Sequence, residues 1–349
     1  MKQILGTSSS GDVREAVRGI DSPDMLIMIS DEGSFEKNVA ALHDIYPEVP
    51  CIASTGYFYT DRSLTSGVGV SAFFGVDAVT GAVHNVSSAP IRDIVSFDKN
   101  SSGFSGGDSV CIDFCTGNDA VVLTTMRSVL KRRGIPLTGG TGMHSKVAVN
   151  GQVCEDTDVY AFIRNKGGKV RVYKENLYRP LEGTRFIASK TDKSRYYIGE
   201  LNGRPAKIVY EELTGATDDE ISNRTFRNPL GRVTGSDISI VSLREIMGNG
   251  LCCYRQVNDS DVLNLLELKD VREIVSETAG RIKSDFSSVS AIFSVNCIFR
   301  HELFEETGFT NEYLGIMSSL GNSYCGFVGN GEHYCDQFLN QSMSCAVFG

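Results

Sequence analysis

Residues 110–142 read VCIDFCTGNDAVVLTTMRSVLKRRGIPLTGGTG, and this stretch predicts the basic unit of the fold. The apolar run at 110–114 has the length of a buried strand. Apolar residues then recur at spacings of three and four, which places them on one face of a helix. A second apolar run ends in the small residues 139–142. The stretch therefore predicts a strand, a helix and a second strand in succession, and the apolar helix positions are Val122, Met126, Val129 and Leu130.

The same order of segments occurs twice more in the chain. Near the N-terminus, a helical pattern lies between the apolar runs 25–29 and 49–56. Near the C-terminus, a helical pattern lies between the runs 290–295 and 324–332. Because strands that alternate with helices are typical of α/β proteins, these three units predict the framework of the fold.

Between these units, tight-turn sequences predict antiparallel β-hairpins. Asn-Gly and Gly-Gly favour the positive φ angles that such turns require. A half-buried strand is predicted at 68–76, where apolar residues alternate, a short strand at 206–209, and a long amphipathic helix at 260–283. The predicted fold class is therefore mixed α/β (α+β), with repeated strand-helix-strand units and inserted antiparallel hairpins. The predicted hairpin turns are Asn150-Gly151, Gly167-Gly168 and Asn202-Gly203.

The length of the chain predicts about two domains of ordinary size. The stretch 214–236 is polar and rich in turn residues, so it is the best candidate for a boundary or a surface excursion. We therefore expect an N-terminal domain over 1–210 and a C-terminal domain over 211–349.

Composition and charge exclude several classes of protein. The 349 residues include 41% hydrophobic residues, and 34 Lys and Arg stand against 43 Asp and Glu, for a formal net charge of −9. These values are typical of a globular chain. The acidic balance provides no electrostatic footprint for nucleic acid. The apolar run 25–29 is far shorter than the roughly 20 residues of a membrane helix. We expect a cytoplasmic protein with no nucleic-acid partner and no membrane insertion.

The ten cysteines are predicted to be reduced core thiols. Most lie in apolar stretches, where Cys behaves as a small buried hydrophobe. Disulfide frameworks belong mainly to short secreted chains, and the sequence has no Cys-x-x-Cys pair of the kind found in many zinc sites. The cysteines therefore predict neither a disulfide framework nor a metal site.

The glycine-rich run 139–142 has two interpretations. No helical pattern and no Lys-Ser or Lys-Thr pair follows it, so neither a P-loop nor a dinucleotide-binding fingerprint is present. The run is either a tight turn at the end of a strand or a loop whose backbone N–H groups approach a small anion.

The C-terminal segment contains polar residues that are predicted to lie just beyond strands, namely Arg300, Glu332 and Asn340. An arginine matches a carboxylate, a glutamate accepts from an ammonium group, and an asparagine both donates and accepts. Together they predict a site for an amino-acid-like ligand. The alternative is an internal ion pair between Arg300 and Glu332 that ties strands together.

The order of these motifs resembles the FIST family over about residues 24–349. The run 136–142, followed by the 150–151 turn, is similar to the FIST N-terminal domain. The later half of the chain is similar to the FIST C-terminal domain at a set of short motifs. These are Cys297 with Arg300, Gly326-Phe327, Gly331-Glu332 and Asn340-Gln341-Ser342.

This resemblance implies a sensory domain of bacterial signal transduction and no enzymatic activity. Such domains are associated with small ligands such as amino acids. Their expected partners are chemoreceptors, histidine kinases or cyclic-dinucleotide enzymes. The chain is then either a stand-alone sensor or the excised input module of a longer protein.

The leading hypothesis is a ligand at the junction of the two domains, with no cofactor and no metal. Arg300 would bind its carboxylate and Glu332 its amino group, while Asn340 and the pair Gly139-Gly140 would shape the pocket. The family signature adds Cys297 and Gly331 to this ligand-binding set.

Two alternatives stay open. One is a haem protein that senses nitric oxide, with His144 or His333 as the axial ligand. The other is an enzyme in which Cys297 is the nucleophile and His301 the base.

Overall fold

The computed structural model describes residues 1–235 and 237–349. Up to residue 176 its strands are β1 (Lys2–Ser8), β2 (Met25–Ser30), β3 (Cys51–Thr55), β4 (Tyr57–Tyr59), β5 (Ser63–Leu64), β6 (Val68–Phe74), β7 (Val76–His84), β8 (Ser109–Cys115), β9 (Leu137–Thr141), β10 (Val147–Val149), β11 (Gln152–Cys154), β12 (Thr157–Asn165) and β13 (Val170–Asn176). The helices of this part are α1 (Val13–Ala16), α2 (Phe35–Ile45), α3 (Ile94–Asn100) and α4 (Asp119–Arg133), with a 3₁₀ helix at Pro90–Asp93.

The middle of the chain contains β14 (Tyr178–Pro180), β15 (Phe186–Asp192), β16 (Tyr197–Leu201), β17 (Arg204–Pro205), α5 (Ala206–Thr214), α6 (Ile221–Arg224), β18 (Leu230–Thr234), β19 (Asp237–Val241), β20 (Leu243–Met247), β21 (Gly250–Cys253) and β22 (Val262–Leu268). The last part contains α7 (Val271–Asp285), β23 (Ala291–Cys297), α8 (Ile298–Glu306), α9 (Thr310–Ser318), β24 (Tyr324–Gly329), β25 (Gly331–Tyr334), β26 (Gln337–Leu339) and β27 (Ser342–Phe348).

Each of the three predicted strand-helix-strand units forms a pair of parallel strands. β2 pairs with β3, β8 with β9, and β23 with β24. Parallel neighbours need a crossover connection, which α2 and α4 supply in the first two units. In the third unit the crossover consists of α8 and α9, where the sequence predicted a single helix. The predicted fold class is confirmed.

The described residues form two compact units. Unit 1 consists of Met1–Glu175, Val275–Phe338 and Ser342–Gly349, and unit 2 consists of Asn176–Ile274 and Leu339–Gln341. The predicted boundary near residue 210 falls within unit 2 and stays a prediction for the limits of the domains.

Unit 1 is built on three mixed sheets, each with six strands among the described residues. Strands from both ends of the chain meet in them, since β25 lies beside β9 and β27 lies between β13 and β23. The strand orders are β1-β6-β2-β3-β10-β11, then β26-β25-β9-β8-β12-β7, then β13-β27-β23-β24-β4-β5.

The core of unit 1 lies between these sheets. β2, β8, β23 and β27 are buried along their whole length, as expected for strands covered on both faces. The ring of Phe114 lies 5.0 Å from that of Phe327 and 6.2 Å from that of Phe293, which joins strands of two different sheets. Apolar contacts between the sheets therefore fix where the ends of β8, β23 and β24 lie.

Unit 2 is built on an antiparallel sheet in the order β19-β18-β22-β15-β16-β21-β20, with β14 on β22 and β17 on β16. A separate apolar core lies within this unit and includes Ile198, Tyr210 and Leu263. Among the helices of the described residues, none is both long and apolar enough to cross a membrane.

The predicted hairpins are confirmed at two of three turns. Asn150-Gly151 joins β10 to β11, and Asn202-Gly203 joins β16 to β17, both as antiparallel pairs. The hairpin at Gly167-Gly168 is wrong, because β12 pairs with β7 and β8 whereas β13 pairs with β27. Tight-turn residues show that the chain reverses, but they do not determine which strand becomes the partner.

Three further predictions need correction. The long helix predicted at 260–283 is wrong at its start, because β22 occupies Val262–Leu268 and α7 begins only at Val271. The strand predicted at 206–209 is helix α5. The strand predicted at 68–76 exists as β6, but it is buried on both faces rather than half-buried. In each case pairing or packing with distant segments overrides the local pattern.

The close approach of β1 to α1 generates a prediction for Gly6→Ala. A Cβ atom at Gly6 would lie 1.7 Å from the carbonyl oxygen of Ala16, so the backbone must shift. We expect the free energy of unfolding in urea to fall by about 1–3 kcal/mol. The control is Gly280→Ala in α7, where no atom of the described residues outside the neighbouring helix backbone lies within 4 Å of the added methyl group. This change should raise stability by up to about 1 kcal/mol, since Ala is the better helix former. Unchanged stability of Gly6→Ala would contradict the packing described.

Candidate functional site

Arg300 lies in the first turn of α8, directly after β23, and forms a buried ion pair. Its Nη2 donates to Oε1 of Glu175 on β13, and neither side chain is exposed. The guanidinium carbon lies 4.5 Å from the ring centre of Phe304 and 5.1 Å from that of Tyr313. Cation–π contacts of this kind are stronger in a desolvated site, so the two rings hold the guanidinium in place.

The ion pair leaves polar atoms unsatisfied. Among the described residues, Nε and Nη1 of Arg300 and Oε2 of Glu175 have no hydrogen-bond partner. An unsatisfied buried polar group costs about 1–3 kcal/mol, and a charged group costs more. The site therefore retains unused donor and acceptor capacity at a desolvated position.

Glu332 lies next to this pair, in the middle of β25. Its Oε2 accepts from the backbone N–H of Ser342 at 3.0 Å and from the Ser342 hydroxyl at 2.5 Å, and its Oε1 has no partner among the described residues. Burial raises the pKa of Glu332 to about 8, against the opposing effects of Ser342, the Cys297 thiol and the positive charge of Arg300. The structure therefore places Cys297, Arg300 and Glu332 near one another.

The alternative interpretation, an internal ion pair between Arg300 and Glu332, is wrong. Arg300 forms its ion pair with Glu175 instead. Glu175 was not singled out from the sequence. Its position in the sequence could have indicated that Glu175 is buried. Glu175 lies two residues after the buried Tyr173, so both side chains are on the same face of the strand. A charged residue on the inward face of a strand requires a buried partner.

The glycines of the predicted site belong to strands. Gly139 and Gly140 lie in β9 and Gly331 in β25, so both interpretations of the glycine run, as a turn and as a loop, are wrong. A Cβ atom at Gly140 would lie 2.3 Å from the carbonyl oxygen of Gly331. Glycine in a strand often marks a close approach of two backbones, and here it allows β9 and β25 to pack.

Asn340 belongs to unit 2, whereas Arg300 and Glu332 belong to unit 1. It is buried, and its Nδ2 has no hydrogen-bond partner among the described residues. The next residue, Gln341, has a positive φ of 53° and donates to the hydroxyl of Ser242 at 2.8 Å. The turn before β27 is therefore held within unit 2 by Gln341. Of the three polar residues predicted just beyond strands, Arg300 and Asn340 do follow strands, and Glu332 lies inside one.

The surroundings of the two candidate haem ligands do not fit a haem. His144 is an exposed residue 3.3 Å from Glu32. His333 is fully buried, its Nδ1 lies 2.7 Å from Oδ2 of Asp113, and Asp158 is close by. A haem site needs an apolar slot for a flat macrocycle, and a charged surface and a group of carboxylates each lack that character.

The proposed catalytic base His301 is engaged by another group. Its Nδ1 is 2.7 Å from the Tyr59 hydroxyl, and the ring packs edge-on against Tyr57. The Cys297 thiol forms a hydrogen bond with Glu332, which opposes the rise in the pKa of Glu332. An enzyme based on Cys297 and His301 stays an untested hypothesis.

Two cavities of unit 1 are lined by other residues. One of about 500 Å³ is lined by Gly134, Pro136, residues 169–173 and Asp285, and one of about 350 Å³ is lined by α4 residues together with Cys335 and Asp336. Arg300 and Glu332 line neither of these cavities. Both side chains are buried in the structure.

The two halves of the chain match, in order, two domains found in sensory proteins of signal transduction. The FIST N domain matches residues 24–204, and the FIST C domain matches residues 206–335. This chain belongs to the FIST family, which confirms the resemblance found in the sequence. Comparison with curated proteins gives no match to this chain.

The buried His301 generates a prediction for the pH dependence of stability. Burial lowers the pKa of His301 below its ordinary value of 6.5, against the opposing charges of Glu305 and Glu302. As the pH falls below 6.5, His301 takes up a proton in the unfolded chain, whereas in the folded chain burial opposes its protonation. The contribution of His301 to the free energy of unfolding should therefore be complete above pH 6.5. It should be lost as the pH falls below about 6.5, by up to about 1.4 kcal/mol per pH unit.

The measurement compares His301→Asn with the unchanged protein in urea unfolding between about pH 7 and 5. Asn cannot be protonated there and offers Tyr59 an acceptor, so the variant should lose less stability as the pH falls. His43→Asn, at an exposed helical histidine in α2, is the matched control and should keep the original slope. Equal slopes for His301→Asn and the unchanged protein would refute the prediction.

Proposed function

We propose that this chain is an intracellular sensory input module that binds a small amino-acid-like ligand at Arg300 and Glu332. Membership of the FIST family supports the sensory role. The ligand class rests on one observation, the buried atoms without partners. Arg300 offers Nε and Nη1 as donors, and Glu332 offers Oε1 as an acceptor. A ligand carboxylate complements the Arg300 guanidinium, and a ligand ammonium group would favour the ionised form of Glu332, whose pKa burial raises to about 8.

Glu175 holds the site closed in the absence of ligand. Its carboxylate occupies part of the guanidinium fork of Arg300, which is the position that a ligand carboxylate would take. Phe304 and Tyr313 hold the guanidinium through ring contacts that are separate from its contact with Glu175. Because Arg300 is already ordered, a ligand loses little side-chain entropy when it replaces Glu175.

Displacement of Glu175 provides a route from binding to signalling. Glu175 is the last residue of unit 1 before the chain enters unit 2 at Asn176. A ligand that binds only when Glu175 is released shifts the population toward that state. A chemoreceptor, a histidine kinase or a cyclic-dinucleotide enzyme that recognises the released state would then receive the signal.

A ligand screen tests the proposal on the full chain. The standard amino acids are compared by thermal shift and calorimetry with their amides, which lack the carboxylate, and with their N-acetyl derivatives, which lack the ammonium group. We expect at least one amino acid to stabilise the protein, by about 2.7 kcal/mol at a hundredfold excess over its Kd. Its amide and its N-acetyl derivative should bind much more weakly. Failure of every amino acid to bind would overturn the proposal.

Two variants locate the binding site. Glu332→Gln keeps the size and an acceptor atom but cannot ionise, and Arg300→Lys loses the planar fork. Each should weaken binding of the identified amino acid by about tenfold or more, the effect of one charge-assisted hydrogen bond. Asp77→Asn, which weakens a partly exposed pair with Arg164, is the matched control and should bind as the unchanged protein does. Unaltered affinity in Glu332→Gln and Arg300→Lys would refute the site.

A further inference from the structure

A second group of buried ionisable side chains lies in unit 1, away from Arg300. Asp113 is on β8, Asp158 on β12 and His333 on β25, in neighbouring parts of one sheet. All three are fully buried. One ligand atom from each lies within 4.8 Å of the others. Buried carboxylates and imidazoles are rare unless they are paired or hold an ion.

The strand register explains why these side chains meet. Asp113 lies opposite Gly139, and Gly139 lies opposite His333, so the three residues form one row across β8, β9 and β25. A Cβ atom at Gly139 would lie 1.6 Å from Oδ1 of Asp113. The glycine therefore leaves the space through which the carboxylate reaches His333 across the intervening strand.

Asp158 approaches the same row from the other side. On β12, Tyr160 lies opposite Asp113 and Asp158 lies opposite Cys115, two residues further along β8. Since side chains alternate along a strand, Asp158 projects from the same face of the sheet as Asp113. The cluster thus forms where the parallel strands β8 and β9 end and α4 begins, a common position for binding sites in α/β sheets.

The cluster has unused ligand atoms. Among the described residues, both carboxylate oxygens of Asp158, Oδ1 of Asp113 and Nε2 of His333 have no hydrogen-bond partner. The Nδ1 atom of His333 is 2.7 Å from Oδ2 of Asp113. When a carboxylate accepts from Nδ1–H, the tautomer is fixed with a bare Nε2, which is the usual arrangement for a histidine that binds a metal.

We propose that Asp113, Asp158 and His333 form a binding site for a divalent transition-metal ion. A set of carboxylate oxygens with one imidazole nitrogen suits Mn²⁺ and related ions. Zn²⁺ is more often bound at sites rich in thiolates. The positive ion would neutralise the carboxylates, whose burial without a partner is otherwise costly. This site shares no residue with the ligand site of Arg300 and Glu332, so the two proposals fail or succeed separately.

Asp119 provides the entry side of the site and a further oxygen ligand. It is the first residue of α4, and its Oδ2 lies 4.0 Å from Nε2 of His333. The same oxygen accepts from the Thr141 hydroxyl at 2.8 Å, which orients the carboxylate toward the cluster. The Asp119 side chain is 16% exposed, whereas those of Asp113 and His333 are not exposed at all. An ion from solvent would reach Asp119 first.

The experiment measures metal binding by the full chain after it has been stripped with a chelator. Mn²⁺ is the main probe, because surface thiols take Zn²⁺ readily but have little affinity for Mn²⁺. Bound metal is measured by elemental analysis after gel filtration and by calorimetry. We expect about one Mn²⁺ per chain and a rise in the unfolding temperature, since the ion binds only the folded site.

Asp158→Asn is the decisive variant. Asn has the size of Asp but no charge, so the stripped variant should be at least as stable as the stripped original protein. It should bind Mn²⁺ about a hundredfold more weakly or worse. His333→Gln should lose binding as well. The matched control is Glu155→Gln, which removes an exposed carboxylate close in sequence and should retain binding.

Two outcomes would overturn the proposal. If the stripped protein binds no Mn²⁺ and its stability does not respond to the ion, the carboxyl groups of Asp113 and Asp158 instead share a proton in a purely structural cluster. If Asp158→Asn and His333→Gln bind Mn²⁺ as tightly as the original protein, the ion lies at another place on the surface.

Discussion

The buried ion pair between Arg300 and Glu175 is the interaction on which much of unit 1 depends. Arg300 lies in the first turn of α8, shortly after β23, and Glu175 is the next-to-last residue of β13. The pair therefore links β13 to the helix that follows β23, and these two strands flank β27. Both side chains are fully desolvated, and removal of one partner would leave an uncompensated buried charge. Folding therefore requires that the end of β13, the start of α8 and the central strand between them form together. The proposed ligand carboxylate would have to replace Glu175 in this pair.

Both buried charged clusters join the two family domains. Glu175, Asp113 and Asp158 lie in the range matched by the FIST N domain, whereas Arg300, Glu332 and His333 lie in the range matched by the FIST C domain. All of these residues belong to unit 1. Neither sequence domain contains a complete cluster. Both clusters therefore depend on the strands that the C-terminal segment adds to the N-terminal sheets.

Local patterns predicted the parallel pairs, because the period of apolar residues and the length of each run are properties of short segments. Long-range pairing was not predictable in this way: Gly167-Gly168 has the composition of a hairpin turn, yet β13 pairs with the last strand of the chain. The resemblance to the FIST family singled out Cys297, Arg300 and Glu332, which the structure places near one another, but it did not indicate Glu175. The glycines of 139–142 were misinterpreted as a turn or a loop. The sequence does not distinguish a glycine that belongs to a turn from one that leaves space in a strand for the Asp113 carboxylate. The missed signal was the lone aspartate within the apolar run 110–114.

A double-mutant cycle on Arg300 and Glu175 tests the central claim most directly. The free energy of unfolding is measured for Arg300→Met, for Glu175→Gln and for the double variant. The account predicts that each single change costs about 3–5 kcal/mol, because a buried charge loses its partner. The double variant should cost less than the sum of the two by more than about 1 kcal/mol. Additive effects of the two substitutions would contradict the account.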